Sequence, residues 1–559
     1  MHAAIRLVTV QASYPAMGVA VVRERVSVLV VGAGLAGLAS AMFLAQRGVE
    51  VLVAERRSGT SLFPRAVGQN QRTMELLRFG GLAERVPTMT PTLSKLRVRV
   101  AAGVSGPSFH EDIPEPATGT DALSPAGIGT AGQDKLEPLL RQRAEELGAE
   151  LCFDTELLSL HQDDDGVTAT LRGRDDERTV QVRADYLVAA DGHRSGVRAA
   201  LGVDRHGPGS LGHNVSIIFD ADLGDLVDPA MPTLHILYND QGSGLFTTID
   251  HAVNRHLYSV NYDPATGASP KDFTTERCTE LIRLITELPD LEPQIKAVAP
   301  WEMAAMVADR FRVGRVLLAG DAAKVTPPSG GMGGNTAIGD AYDLAWKLAA
   351  VLDSTAGPGL LDSYDAERRP IAERVVAEAL RLLSARGSAT ATEHAEETHD
   401  TDAVPVSDEQ RAIELTLGFR YRSSAVFAET DDPADTEDPY RPTGRPGFRA
   451  PHIWLQRGGE KLSTVDLFGQ DFVVLAGPDG EVWRAAADAV TARLGVTVRT
   501  TVLGEDLIDP QEEYGTRYGI GASGASLIRP DGIIAWRAAN APGDPVQVLL
   551  DAFTAILAK

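Results

Sequence analysis

"VSVLVVGAGLAGLASAMFLAQRGVEVLVAE", Val26 to Glu55, decides how the chain begins to fold. Val26–Val31 is largely apolar and β-branched, the composition of a parallel strand buried on both faces. Ala39–Gly48 carries apolar residues at helical spacing and stops on Gly48. Val49–Glu55 is a second buried strand, so the stretch is a βαβ unit that starts a doubly wound sheet. Gly32, Gly34 and Gly37 form G-x-G-x-x-G between the first strand and the helix. The first glycine permits the tight turn, the second lets backbone approach a pyrophosphate, and the third lets helix pack on strand. A phosphate held there lies on the positive end of the helix dipole. Glu55 ends the second strand 18 residues beyond Gly37, where a carboxylate can accept from ribose hydroxyls. Close packing alone would also explain the glycines, but not their placement ahead of Glu55.

Two later stretches extend the pattern. "DYLVAADGHRSGVR" ends a buried strand on Asp191 and Gly192, with Ser195 and Arg198 in a first helical turn. In isolation it reads as an ordinary Asp-Gly turn with a serine cap. "GDAAKVTPPSGGMGGN", Gly320 to Asn335, follows the strand-like "GRVLLA". Asp321 stands at the carboxyl end of that strand, where α/β sheets bind ligands, and can accept from a ribityl hydroxyl. Pro327 and Pro328 stiffen the turn, and Gly330 to Gly334 bring backbone close to a planar ring. Asn335 or Thr336 is expected to cap the next helix, about Thr336 to Leu352, and aim its N-terminus at the ligand. A flexible surface loop is the competing reading.

The 559 residues suffice for two to four domains. With 43% hydrophobic and 23% charged residues the chain is globular. A net charge of −24 argues against nucleic acid as the main partner, which needs clustered cations. Cys152 and Cys278 are the only cysteines, without a CxxC, so neither a disulfide framework nor a zinc site is expected; both read as buried thiols. No metal is expected. No run approaches the roughly 18 apolar residues of a membrane span. The first residues do not form a convincing signal peptide, so a cytoplasmic protein is expected, with residues 1–24 an extension and Met17 an alternative start.

Alternating stretches "NVSIIFDADL", "TLHILY" and "HLYSVNYD" predict a separate, more antiparallel sheet. "ATATEHAEETHDTDAVPVSDEQ" is acidic and poor in apolar residues and reads as an exposed connector. After "YRPTGRPGFRAPH" strands and helices alternate to the end, a third domain.

The three glycine- and aspartate-bearing motifs lie about 130 to 160 residues apart. In this order they resemble the FAD-dependent aromatic hydroxylases, the para-hydroxybenzoate hydroxylase class of flavin monooxygenases. "PRAVGQNQRTMELLRFGGL", "GQDKLEP", "SYDAERRPIAE", "GFRYRSSAV", "STVDLFG" and "GASLIRPDGIIAWR" narrow the resemblance to the aromatic polyketide hydroxylase branch, aklavinone-type members above all. The resemblance implies an α/β fold. A Rossmann-like FAD-binding domain would use residues 25–92, 131–205 and 300–395, with an inserted mixed-sheet substrate domain at 93–130 and 206–299. A connector at 396–440 and a thioredoxin-like C-terminal domain at 441–559 would follow, the latter without CxxC and hence structural.

It further implies non-covalent FAD reduced by NADPH, or NADH, and reacting with O2 to a C4a-hydroperoxide. That species would hydroxylate a polycyclic aromatic polyketide in antibiotic biosynthesis, in a monomer or homodimer. Gly32, Gly34, Leu35, Ala36, Gly37, Glu55 and Arg56 would hold the ADP half. Arg65 would lie near the pyrophosphate or flavin, Gln133 on the flavin chain, and Leu157 on the adenine side. Asp191 would serve FAD and NADPH, Asp321 the ribityl chain; Pro328, Gly331, Gly333, Gly334 and Asn335 would border the ring system.

Two departures stand out. Lys324 occupies a position that is His in many of these hydroxylases but Lys in the aklavinone-type branch. The tyrosine pair of that branch, one of them a proton acceptor, aligns with His235 and Ile236 in "TLHILYND". His235 or Tyr238 is therefore a candidate acid–base residue, against a plain packing role for each. The loss of the tyrosine also opens a Baeyer–Villiger or other oxygenation of a polyketide or rifamycin-type substrate. A flavin-binding helper without catalysis is the non-enzymatic alternative.

Overall fold

The computed structural model describes residues 24–88, 97–113, 120–174, 178–240, 242–385, 407–427, 429 and 433–559. The expected N-terminal extension lies outside the described residues apart from Glu24, as do residues 389–406 of the acidic stretch.

The first sheet runs in the order Arg312–Val313, Val316–Leu318, Thr179–Ala189, Arg25–Val31, Val51–Ala54, Glu150–Cys152. All neighbours pair in parallel except the edge strand Arg312–Val313. Thr179–Ala189 also closes an antiparallel meander with Thr155–Asp163 and Gly166–Gly173. Helix Leu35–Gln46, buried from Leu35 to Ala45, packs against helices Met332–Leu352 and Gln133–Glu146. Its near-total burial explains its lack of a polar face: it is wrapped on all sides by sheet and helices.

The second sheet is Lys324–Val325, Gln294–Ala308, Arg205–Asp220, Arg255–Tyr262, Gly244–Asp250, Thr233–Leu237, Arg97–Ala101, Ser108–Asp112. It is antiparallel except where Thr233–Leu237 meets Arg97–Ala101, so it is mixed. Helix Thr275–Thr286 covers one face, where Cys278, Leu281, Ile282 and Ile285 meet Val215, Ile217, Phe219, Phe246 and Tyr258. The boundary placed between residues 299 and 300 falls inside the continuous strand Gln294–Ala308, whose far end pairs Met306 and Val307 with Val325 and Lys324. The second sheet thus ends on a strand that begins three residues after Asp321, just past the last parallel strand of the first sheet, Val316–Leu318.

The last domain has four strands ordered Val498–Val502, Phe472–Ala476, Ala525–Ile528, Ile534–Ala538, with only the first pair parallel. Helices Val482–Leu494 and Pro545–Ile556 complete a thioredoxin-like topology.

Within 396–440, expected as a connector, the described residues carry structure of their own. Asp408–Leu417 is a helix, and Phe419, Tyr421, Ala425 and Val426 are buried. Low local hydrophobicity conceals this because a few large side chains, not a periodic stripe, carry the contact. Both cysteines are buried, and burial pushes each thiol up to about 11. Among the described residues no helix is long and apolar enough to cross a membrane.

Candidate active site

The carboxyl ends of strands Arg25–Val31, Thr179–Ala189 and Val316–Leu318 gather the three sequence motifs. Gly32 has φ +101°, and a Cβ there would stand 2.3 Å from the Ala190 carbonyl oxygen. A Cβ on Gly37 would stand 1.8 Å from the Gly32 oxygen. Both contacts force the turn to close tightly, and no side chain caps the helix that begins at Leu35. Its first-turn N–H groups at Leu35 and Ala36 are therefore aimed outward at a site for anionic oxygen.

Glu55 is fixed beneath that loop. Its Oε2 accepts from the Ala33 N–H at 2.6 Å and its Oε1 from the Arg57 N–H at 2.8 Å. Arg56 beside it is exposed. Leu157 lies in a strand whose first residue, Thr155, donates its N–H to the Glu55 carbonyl at 2.8 Å, and the register shifts between Leu157 and Ser159.

Asp191 Oδ2 accepts from the Val197 N–H at 3.1 Å, while its Oδ1 is buried without a partner among the described residues. Ser195 caps the short helix, as expected, by accepting from Arg198 N–H. The Arg198 guanidinium donates to the Ala322 carbonyl at 3.1 Å and so ties the second motif to the third. Asp321 is open to solvent on one side but ringed by protein, and lost solvation pushes its carboxyl up against the pull of Lys324, His193 and Arg65. Arg65 is exposed, within reach of the charges on Asp321 and Glu137.

The expected cap at Asn335 or Thr336 is corrected. The helix starts earlier, at Met332, with Gly331 at its N-cap in the left-handed region. Asn335 instead bridges segments: its Oδ1 accepts from Asn70 N–H at 2.9 Å and its Nδ2 donates to Gly68 and Gly331 carbonyls. Pro328 is exposed just before this turn, and Gly334 packs near Ala66 and Leu35.

Gln133 opens its helix with its N–H on the Arg65 carbonyl at 2.8 Å, and its amide donates to Glu137 Oε1 at 2.6 Å. Glu137 was missed by sequence reasoning although it stands four residues on, within "GQDKLEP". Burial raises its carboxyl against hydrogen bonds from Gln133 and Ser61. Behind the loop, buried Asp340 accepts from Lys324 Nζ at 2.5 Å, Arg368 Nε at 2.8 Å and Gly320 N–H at 3.1 Å.

These features fit FAD. A Cβ at Gly331 or Gly333 would meet nothing within 4 Å, and one at Gly34 only Glu137 at 3.8 Å, so backbone is open to a large ligand. The orphaned Asp191 Oδ1 and the uncapped helix supply polar groups that such a ligand would satisfy.

On the second sheet His235 takes the placement of the packing reading rather than of the acid–base one. It is 4% exposed and packs edge-on against Phe246, on the face covered by helix Thr275–Thr286. Burial first, then Arg99 and Arg97, hold its pKa at about 4 against the ordinary 6.5, and Nδ1 has no partner among the described residues. Between those values the unfolded chain binds a proton that the folded chain refuses, so stability falls as pH drops from 6.5 towards 4. His235→Leu should change turnover less than about threefold, against the roughly 10²–10⁴-fold that an acid–base group contributes. It should raise the melting temperature more at about pH 5 than at about pH 7.5, which paired melting curves check.

The opposite face carries Ile236, level with Leu245, Ser259 and Ser216 across the strands. Trp301 Nε1 donates to Ser216 and Ser259 Oγ at 3.0 and 3.2 Å. Tyr238, 39% exposed, shares this face by strand alternation, its N–H still paired to Ala101. The face is apolar with a few hydroxyls, suited to a flat ring system.

The FAD-binding-domain family matches residues 25–379, and the aromatic-ring hydroxylase C-terminal family matches residues 443–559. The chain belongs to the FAD-dependent aromatic-ring hydroxylases and is a flavin-dependent aromatic monooxygenase. Aklavinone 12-hydroxylase of Streptomyces purpurascens is 50% identical over 536 residues, 94% of this chain and 98% of its own. Tetracenomycin A2 monooxygenase-dioxygenase of Streptomyces glaucescens is 40% identical over 560 residues, covering 96% and 97%. A crystal structure of aklavinone-11 hydroxylase in ternary complex with FAD and aklavinone matches with a TM-score of 0.87 and 48% identity, over 96% of this chain and 99% of that one.

Proposed function

We propose that the chain hydroxylates a polycyclic aromatic polyketide, of anthracyclinone or angucyclinone type, with NADPH or NADH and O2. The observation that carries this reading is the pairing of the substrate sheet with the segment that follows Asp321. Gln294–Ala308 bears Trp301 on the ring-sized face and pairs with Lys324–Val325, three residues past Asp321. A substrate on that face is thereby held in fixed relation to the flavin loop. The likeness to aklavinone and tetracenomycin oxygenases supports the substrate class.

Bound FAD supplies the activation of oxygen; the protein supplies binding, orientation and dryness. Leu35 and Ala36 N–H groups, with Arg65, would hold the pyrophosphate, Glu55 the ribose, and Asp321 and Gln133 the ribityl chain. Asp191 would serve FAD and the nicotinamide donor. Gly331 to Asn335 would border the isoalloxazine. Ile236 can move no proton, so Tyr238 is the residue of this face assigned to orient the substrate phenol.

The test is NADPH and NADH oxidation across a panel of anthracyclinones, angucyclinones and tetracenomycin-like compounds, with product masses. One or more should accelerate oxidation and gain one oxygen without ring opening. Ring-opened or lactone products would establish Baeyer–Villiger chemistry instead, and no acceleration by any of them would contradict the reading.

A further inference from the structure

The thioredoxin-like domain has no cysteine, so dithiol chemistry does not explain its presence. Arg449 is held to this domain by backbone, with a bridge to Ile533 and the following Ala450 N–H on the Gly532 carbonyl at 2.8 Å. Its side chain leaves the domain. Nε donates to Glu75 Oε2 at 2.9 Å, a second nitrogen donates to Glu75 Oε1, and the same nitrogen reaches the Leu123 carbonyl at 3.0 Å. Arg449 is 6% exposed and Glu75 not at all. Burial works against the Glu75 charge, but Arg449, Arg72 and Ser124 together hold the carboxyl below its usual range.

Both segments gripped by this fork lead to the cofactor site. Glu75 stands on helix Gln71–Phe79, whose Asn70 cap donates its N–H to Asn335. Leu123 leads to Gly129, which exchanges two backbone hydrogen bonds with Gln69, and on to Gln133, bonded to the Arg65 carbonyl. The domain holds the same helix a second time, where Arg72 donates to the Asp531 carbonyl at 2.5 Å. A planar guanidinium is suited to this task, because it binds both carboxylate oxygens and a carbonyl in one geometry, as an ammonium cannot.

We propose that the C-terminal domain serves as a clamp on the two segments that flank FAD, with Arg449 as its positioning residue. Arg449 touches neither FAD nor substrate and acts through Glu75 and Leu123.

The test measures FAD affinity of the full-length apoprotein by flavin fluorescence, alongside melting temperature, for three variants. Arg449→Met should raise the Kd for FAD at least about tenfold, and Arg449→Lys, which keeps the charge but not the fork, by about threefold. Val490→Ala, in the buried face of helix Val482–Leu494 inside the same domain, should lower the melting temperature yet leave the Kd within about twofold. Wild-type affinity in Arg449→Met, or equal weakening in Val490→Ala, would overturn the proposal. Should Arg449→Met fail to fold, the comparison of Arg449→Lys with Val490→Ala decides it in the same way.

Discussion

Gly37→Ala should yield a colourless protein. The new Cβ would lie 1.8 Å from the Gly32 carbonyl oxygen and 3.3 Å from Ala190 Cβ, and the first of these atoms is backbone in a closed turn. Neither side can yield easily. Leu38, Met42, Phe43 and Leu44 of the helix are at most 1% exposed, and Gly32 is itself pinned against Ala190. The displaced helix start would carry the Leu35 and Ala36 N–H groups away from the pyrophosphate. A shift near an ångström at such a site removes several charge-assisted hydrogen bonds, so FAD affinity should fall about 100-fold or more, or about 3 kcal/mol. Flavin absorbance per protein after gel filtration, followed by FAD titration, measures it. Stoichiometric FAD with wild-type affinity would show that the loop does not hold the cofactor as described.

Asp340→Asn should cost the fold several kcal/mol. Asp340 is fully buried and takes hydrogen bonds from Lys324, Arg368 and Gly320. Asparagine keeps the size but leaves buried Lys324 and Arg368 without their direct ion-pair partner. Breaking such a pair from one side costs about 3–5 kcal/mol, since the stranded charge keeps its desolvation penalty. Lys324→Met removes a cation and leaves Asp340 paired with Arg368, so it should cost less. The double variant should melt above Asp340→Asn alone, the sign of direct coupling. Calorimetry of the three variants measures this; an Asp340→Asn protein melting within about a degree of wild type would contradict it.

The dinucleotide half of the site was legible because each glycine answers a local steric demand. Gly32 and Gly37 cannot carry a Cβ, and Glu55 follows at a fixed strand length. The place of Asp321 was legible for a related reason: a polar residue just past the end of an otherwise apolar strand. Features set by tertiary contact were not. Asn335 looked like a cap because caps are local, but its amide is used to join Gly68, Asn70 and Gly331. His235 and Ile236 are neighbours in sequence and lie on opposite faces of a sheet. Which face meets helix Thr275–Thr286 depends on a segment some forty residues later. Burial of Phe419 and Tyr421 after an acidic stretch was hidden likewise, because their partners Ile371, Val375 and Ile533 come from other parts of the chain.

A single-turnover reaction under ¹⁸O₂ with the best substrate of the panel tests most directly whether the enzyme, with FAD held by the three motifs, hydroxylates an aromatic polyketide on the neighbouring sheet. Substrate should speed NADPH oxidation, and the product should carry one ¹⁸O on an intact aromatic ring. Product oxygen drawn from water, or NADPH oxidation that yields only peroxide with every substrate, would contradict it.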